Sequence, residues 1–307
     1  MSIHQPSTQT KAPSGKALAG QGADGRNLWS QAGAQLRKMP TAWLCLWIIF
    51  ALMAVALASW LNLPLTPYSF DGTSAAILQG PCPAHWMGTD EPGRDLLTRI
   101  IYGTRLSITI GIVTAAIAFV LGTLCGSLAG YYGGKTDALL MRTVDVAYAL
   151  PDLLIMILIG VLVGRGTSGI LIALGLVSWM GTARLVRAQL LQLQSEEFIE
   201  AARACGQGGF NIVTRHLLPN AMGPIIVALT FTVPQAILSE STLSFIGLGL
   251  SPPACSWGTL ASDGWRALHT NPHLIFFPSF FIFVTVLAFN LLGDGLRDAL
   301  DPRTRQK

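Results

Sequence analysis

The sequence predicts an all-α polytopic membrane protein with six transmembrane helices. Hydrophobic residues make up 51% of its 307 positions and charged residues only 12%, and the mean hydropathy is +0.51. A soluble domain carries about 25% charged residues, so this composition excludes a chain of one or two soluble domains. Six apolar runs approach or reach the length of about 20 residues that a helix needs to cross a bilayer core.

The six runs differ in how regular they are. The first two contain no charged residue, the third contains Asp145, Pro151 and Asp152, and the fifth contains Pro224 and Pro234. Prolines are tolerated in a membrane helix where neighbouring groups satisfy the freed backbone atoms. The predicted spans, in order, are residues 42–61, 106–129, 144–163, 169–183, 221–238 and 274–292.

The distribution of basic residues predicts the orientation. Six spans put both termini on one side, and that side would carry 15 of the 20 Lys and Arg residues, against five on the other. Because basic residues accumulate in cytoplasmic loops, both termini are predicted to be cytoplasmic. The stretch before the first run is 41 residues long, which favours an uncleaved anchor over a cleaved signal peptide.

This topology divides the chain into four regions. Residues 1–41 form a cytoplasmic tail, rich in Ser, Gly, Gln and Ala, that is predicted to be largely disordered. Residues 42–105 comprise the first transmembrane helix and a periplasmic segment. Residues 106–293 form a five-helix transmembrane core with a cytoplasmic loop at 190–220, and residues 294–307 form a cytoplasmic C-terminal tail.

The cytoplasmic loop has a pattern of its own, EEFIEAARACGQGGFNIVTRHLLPN at residues 196–220. Helix-forming residues with acidic residues in the first turn predict a helix from Glu196 to Ala204. Glycines end it, a second short helix is predicted from Phe210 to Leu218, and Pro219 is predicted to stop that helix. The first helix either docks its apolar side in a groove of a soluble partner or lies on the membrane surface. That apolar side comprises Phe198, Ile199, Ala202 and Cys205.

Four stretches resemble the permease subunits of ABC importers of the dipeptide/oligopeptide type, a branch that includes nickel and glutathione importers. Residues 200–219 are similar to the EAA loop of that family in sequence and spacing, with His216 where the general pattern has Ile. The others are HWMGTDEPGRDLLTRIIYGTRLS at 85–107, LSFIGLGLSPPACSWG at 243–258 and LAFNLLGDGLRDALDPR at 287–303. GTDEPGRD resembles the external segment of the shorter of two permease subunits. The resemblance implies the type I ABC-importer permease fold.

In that family the EAA loop forms a coupling helix that sits in a cleft of a cytoplasmic ATPase subunit. The resemblance therefore implies that the glutamate makes a polar contact with the ATPase and that the two alanines permit close approach. The glycine would allow a turn with positive φ, and the Leu-Pro pair would fix the exit into the fifth span. The implied coupling residues are Glu200, Ala201, Ala202, Gly206, Leu218 and Pro219.

The resemblance also implies the partners. They are a second, homologous permease subunit, two cytoplasmic ATPase subunits, a periplasmic solute-binding protein and membrane lipid, with no nucleic acid. ATP and Mg²⁺ would bind to the ATPase subunits, and this chain would hold no cofactor or metal and would not be an enzyme. The substrate would be a dipeptide or oligopeptide, with nickel, glutathione or another small solute as alternatives, and the chain would lie in a bacterial inner (plasma) membrane.

Rival functions have weaker signals. The stretch AGYYGGKT at 129–136 lacks the first Gly of a Walker A motif and follows a membrane span instead of a strand, so we expect no ATP binding by this chain alone. A self-contained secondary transporter would usually show inverted repeats or charged groups at the membrane midplane. An intramembrane enzyme would need catalytic groups within the spans, and only the Asp145–Asp152 pair hints at one.

Three ionisable residues and two cysteines have predicted places. Glu240, near the external end of the fifth span, is the candidate for lining the transport pathway, because ionisable residues inside a membrane are usually functional. Asp145 and Asp152 are expected to make helix-end contacts near the cytoplasmic face. Cys82 and Cys255 are both predicted to be external, where an oxidising periplasm would allow a disulfide.

Overall fold

The protein is an assembly of helices along most of its length. Its structure, a computed structural model, describes residues 33–300. Most of the predicted N-terminal tail and the last residues of the predicted C-terminal tail lie outside the described residues. The helices are α1 Pro40–Trp60, α2 Leu96–Tyr132, α3 Gly134–Tyr148, α4 Asp152–Val163, α5 Thr167–Leu193, α6 Glu197–Ala204, α7 Gly209–Phe245, α8 Trp257–Arg266 and α9 His273–Leu300.

The long apolar helices account for the predicted spans. Helices α1, α2, α5, α7 and α9 are each long and apolar enough to cross a membrane, and α3 and α4 make a sixth span if the bent pair is counted as one. Five of the six predicted spans are therefore confirmed as single helices. Helix α2 begins earlier than predicted because the side chain of Asp95 caps it, accepting a hydrogen bond from the Thr98 amide at 2.8 Å. Helix α9 continues to Leu300, into the residues assigned to the C-terminal tail.

The third predicted span is not one helix, and this part of the prediction is wrong. Helices α3 and α4 meet at 87° across a short break. Pro151 lies at the N-cap of α4 with extended backbone (φ −58°, ψ 126°), and a proline also disfavours helical backbone at the residue before it. The chain therefore turns at Leu150–Pro151, and Asp152 becomes the first residue of the apolar helix α4.

The prediction that Pro219 stops a second short helix is also wrong. The chain is helical from Gly209 to Phe245, with a π-helical turn at Val213–Leu217 just before the proline. The Leu218 amide bonds back to the Val213 carbonyl, and the Asn220 side chain donates to the His216 carbonyl at 2.7 Å. The wider turn accommodates a residue that has no N–H to donate, so the helix passes through Pro219 into the membrane.

Helices α2 and α5 pack closely at one end of the bundle. Gly122, Gly126 and Gly130 of α2 lie against α5, and a Cβ on Gly126 would stand 2.5 Å from the Ala183 carbonyl oxygen and 2.7 Å from the Val186 Cβ. Small residues allow membrane helices to approach this closely. The tight contact holds the end of α5 that leads into α6.

The segment between α1 and α2 packs on the opposite end of the bundle through buried charged groups. Asp90 accepts hydrogen bonds from Arg94 Nε, at 2.8 Å, and from Arg99. His85 Nδ1 lies 2.9 Å from the Asp95 carboxylate, and both side chains are buried. A charge removed from water must be paired, so these contacts hold the GTDEPGRD segment against the helices.

Candidate functional site

Helix α6 is attached to the bundle by part of its apolar side. Ile199 is fully buried and Ala202 is 6% exposed. The prediction that the whole apolar side meets a partner is therefore wrong, because these two residues belong to the core of the chain itself. Phe198 and Cys205, from the same predicted face, remain exposed. The core around Ile199 and Ala202 consists of Val186, Leu190, Ile212, Leu217, Ala221 and Ile225.

The outward side of α6 presents a small mixed surface. Glu200, Ala201 and Arg203 are exposed, and Phe210 nearby in sequence is 78% exposed. Among the described residues Glu200 has no ion-pair partner. A large exposed aromatic ring such as that of Phe210 is typical of an interface that another protein covers.

The turn after α6 depends on Gly206, as the sequence predicts. Gly206 has φ +75°, and no atom lies within 4 Å of where its Cβ would be. Its amide bonds to the Arg203 carbonyl at 2.9 Å, and the Gln207 amide bonds to the Ala202 carbonyl at 3.1 Å. This pair of bonds is a Schellman motif, which satisfies the last carbonyls of a helix and needs a left-handed residue.

Four contacts that the sequence did not predict tie this loop to the bundle. Tyr131 packs on Gly209, where a Cβ would stand 2.7 Å from its ring. Gln194 donates from its side chain to the Gly130 carbonyl at 2.6 Å. His216, the departure from the EAA pattern, lies 2.8 Å from the Gln207 side-chain oxygen. The fourth contact lies where the loop leaves the bundle and is a two-pronged ion pair between Arg187 of α5 and Asp137 of α3. Together they connect α5 and the residues that flank α6 to α2, α3 and α7.

A second feature is a cavity of about 550 Å³ between α4, α5 and α7. Thr232, Gln235, Ser239 and Thr242 line it from α7. They follow a helical spacing of three or four residues, so they share one face of the helix. Polar residues at this spacing in an apolar helix are the signal that could have identified this face from the sequence. Asp152, at the start of α4, also lines the cavity.

The structure places Glu240 away from the cavity, and it places Asp152 at a helix end, as expected, but beside the cavity. Glu240 does not line the cavity: it is fully buried, and its Oε1 atom accepts hydrogen bonds from Ser244 at 2.8 Å and from Ser256 at 2.6 Å. Ser256 is also the N-cap of α8, so Glu240 joins α7 to α8. Asp145 makes the expected contact, an ion pair with Arg184 at 2.6 Å, whereas Asp152 faces the cavity.

The predicted disulfide between Cys82 and Cys255 is absent from the structure, where both thiols are free. Cys255 is fully buried and its thiol contacts the Arg99 carbonyl at 3.5 Å. Cys82 instead accepts a hydrogen bond from the His85 amide at 3.3 Å. Burial raises the pKa of the Cys255 thiol, so it stays protonated and unreactive at neutral pH.

Comparison with known proteins gives consistent results across most of the chain. The family described as "Binding-protein-dependent transport system inner membrane component" matches residues 122–306. The dipeptide transport system permease protein DppC of Bacillus subtilis is 48% identical over 227 residues, covering 74% of this chain and 71% of that protein. The oligopeptide transport system permease protein OppC of the same organism is 40% identical over 283 residues, covering 91% of each.

A solved structure supports the fold. The MetNI methionine ABC transporter in an inward-facing conformation aligns with a TM-score of 0.57 at 20% identity, covering 67% of this chain and 98% of the matched chain. At this identity the likeness shows the fold alone, and it is the ABC-importer permease fold that the sequence resemblance implied.

Proposed function

Because this chain belongs to the family of binding-protein-dependent transport system inner membrane components, we propose that it is one of two permease subunits of an ABC importer for dipeptides and oligopeptides. The family membership rests on the matches described above. The peptide substrate is inferred from the names of its relatives in Bacillus subtilis. In this proposal the chain forms half of the translocation pathway, and separate ATPase subunits hydrolyse ATP.

The observation that carries the proposal is the construction of α6. One side of this short helix is anchored in the chain's own core by Ile199, while Glu200 and Ala201 face outward. An anchored helix with an outward polar surface can be displaced by a soluble protein that binds to it, and it then transmits that displacement to α5 and α7. A helix of eight residues has little stability alone in water, so the anchoring supplies the rigidity that force transmission requires.

The energy for transport has to come from outside this chain. Moving a two-state protein from about 1% to about 99% of one state takes about 5.5 kcal/mol of differential binding. ATP and Mg²⁺ bound by two cytoplasmic ATPase subunits would supply that energy through α6. The excess of basic residues on the side of α6 and the termini supports an orientation with α6 in the cytoplasm. The 62–95 segment would then lie in the periplasm, facing a solute-binding protein.

Reconstitution tests this function. The chain is co-expressed with the cognate second permease subunit and ATPase subunits, and the complex is placed in liposomes with the cognate solute-binding protein. ATP-dependent accumulation of a radiolabelled dipeptide is the expected result. Accumulation of nickel without accumulation of di- or tripeptides would overturn the peptide assignment. Accumulation without any ATPase subunit would overturn the importer mechanism itself.

A further inference from the structure

The cavity between α4, α5 and α7 contains polar side chains that are free to bind a ligand. Gln235 and Ser239 on α7 and Ser178 on α5 line it. Within the described part of the chain these three side chains make no hydrogen bond to protein. Gln235 is exposed and Ser178 and Ser239 are half-buried, so their amide and hydroxyl groups are accessible to a ligand. The volume of about 550 Å³ falls in the range of about 300–1,000 Å³ typical of small-molecule sites.

One charge stands in this cavity. Asp152 is the single charged residue among the described residues that line it. The nearby basic residues of α5 are already paired, since Arg184 binds Asp145 and stacks at 4.1 Å on the ring of Tyr148, and Arg187 binds Asp137. Asp152 therefore has no counter-ion in the described part of the chain, and its side chain is exposed at the start of the apolar helix α4. An accessible carboxylate can bind a cationic group by a charge-assisted hydrogen bond.

The chemistry of a peptide matches these groups. A peptide carries an α-ammonium group at one end and alternating N–H and C=O groups along its main chain. A carboxylate binds the ammonium by a charge-assisted hydrogen bond. An amide and two hydroxyls can each donate to and accept from main-chain groups, so they recognise any sequence equally.

We propose that this cavity is a binding site for the peptide main chain, in which Asp152 holds the α-ammonium group and Gln235, Ser239 and Ser178 bind the backbone amides. The proposal rests on the proposed function and adds a specificity-determining residue to it. In this proposal, this subunit selects peptides that have a free amino terminus and does not recognise their side chains.

Peptide binding to the purified importer tests the proposal. Saturation-transfer NMR, which detects weak binding, measures the affinity of the complete permease–ATPase complex for alanyl-alanine and for its N-acetyl derivative, without the solute-binding protein. The wild type should prefer the free amine about tenfold or more, the range of a hydrogen bond to a charged group. Asp152→Asn should abolish that preference by weakening only the binding of the free amine, and Asp152→Glu should retain it.

The other outcomes are also decisive. An unchanged preference in Asp152→Asn, or no measurable binding of either peptide to the wild type, overturns the proposal. Equal weakening of both peptides, or loss of the second permease subunit during purification, would make Asp152 an interface residue and likewise overturn it. Each of these results can occur while the wild type still accumulates peptide with its solute-binding protein, so the inference can fail without the proposed function.

Discussion

Substitution of Gly206 provides a direct test of the turn that ends α6. The glycine has φ +75°, and no atom lies within 4 Å of the place that a Cβ would take, so Gly206→Ala introduces no steric contact. What remains is the cost of left-handed backbone for a residue with a side chain, about 1–2 kcal/mol. A change of that size lowers the equilibrium ratio of formed to unformed turn by about 5- to 30-fold.

Gly208 supplies a matched control. It lies two residues away, is equally open around its Cβ position, and has φ −69° and ψ 152°, which any residue adopts. Gly208→Ala should therefore behave as the wild type. Gly206→Asn should lie between the two, because Asn tolerates left-handed backbone better than Ala.

Two assays read the effect. Hydrogen exchange of the amides at residues 203–208 should speed up in Gly206→Ala by the same 5- to 30-fold, and ATP-dependent uptake by the reconstituted importer should fall. Wild-type exchange in Gly206→Ala, or equal losses in both alanine variants, would refute the reasoning. We also expect Gly206→Asp, which adds a charge at the turn proposed to meet the ATPase, to leave the protein inserted but uncouple ATP hydrolysis from uptake.

Three further predictions concern the bundle. Gly126→Ala should lower the thermal stability of the solubilised complex, because its Cβ would stand 2.5 Å from a carbonyl oxygen of α5 and overpacking costs about 1–3 kcal/mol. Gly160→Ala, whose nearest neighbour would be 4.0 Å away, is the control and should leave the thermal stability unchanged or raise it, because Ala favours a helix interior over Gly. Ser256→Ala should lower the free energy of unfolding by at least about 2 kcal/mol in the same thermal denaturation, because it removes both an N-cap and a donor to a buried carboxylate. A decrease below about 0.5 kcal/mol would contradict this expectation. Cys255 should resist maleimide at neutral pH and react only as alkaline pH approaches its raised pKa or after unfolding, and mass spectrometry without reductant should find it unpaired with Cys82.

Features set by local chemistry could be predicted from the sequence. Apolar runs of sufficient length indicated the six spans, and the pattern around Glu200 indicated a short helix that ends at a left-handed glycine. The effects of prolines were harder to predict, because a proline can either end a helix or be accommodated within one. Pro151 ends a helix where nothing compensates for it, whereas a π-helical turn before Pro219 lets the helix continue.

The surroundings of Glu240 and Asp152 could not be predicted from the sequence, because they depend on the three-dimensional structure. Both Glu240 and Asp152 stand in or beside apolar runs, and a single carboxylate in a helix carries no sign of which face it occupies. Glu240 is buried by Ser256, a residue from another helix, and Asp152 reaches the cavity because the chain turns by 87° just before it. Neither tertiary relation is encoded in a local pattern, although the spaced polar residues from Thr232 to Thr242 mark the cavity-lining face of α7.

The central claim is that α6 lies in the cytoplasm and that an ATPase subunit covers it and drives its movement. Cys205, exposed at the end of α6, reports on this directly through labelling with a membrane-impermeant maleimide, with Cys205→Ser as the background control. We predict that Cys205 is labelled in inside-out vesicles stripped of ATPase subunits, that it is protected when those subunits are restored, and that it is not labelled from the periplasmic side. Labelling of Cys205 from the periplasmic side, or labelling of Cys205 that the ATPase subunits do not reduce, would contradict the account.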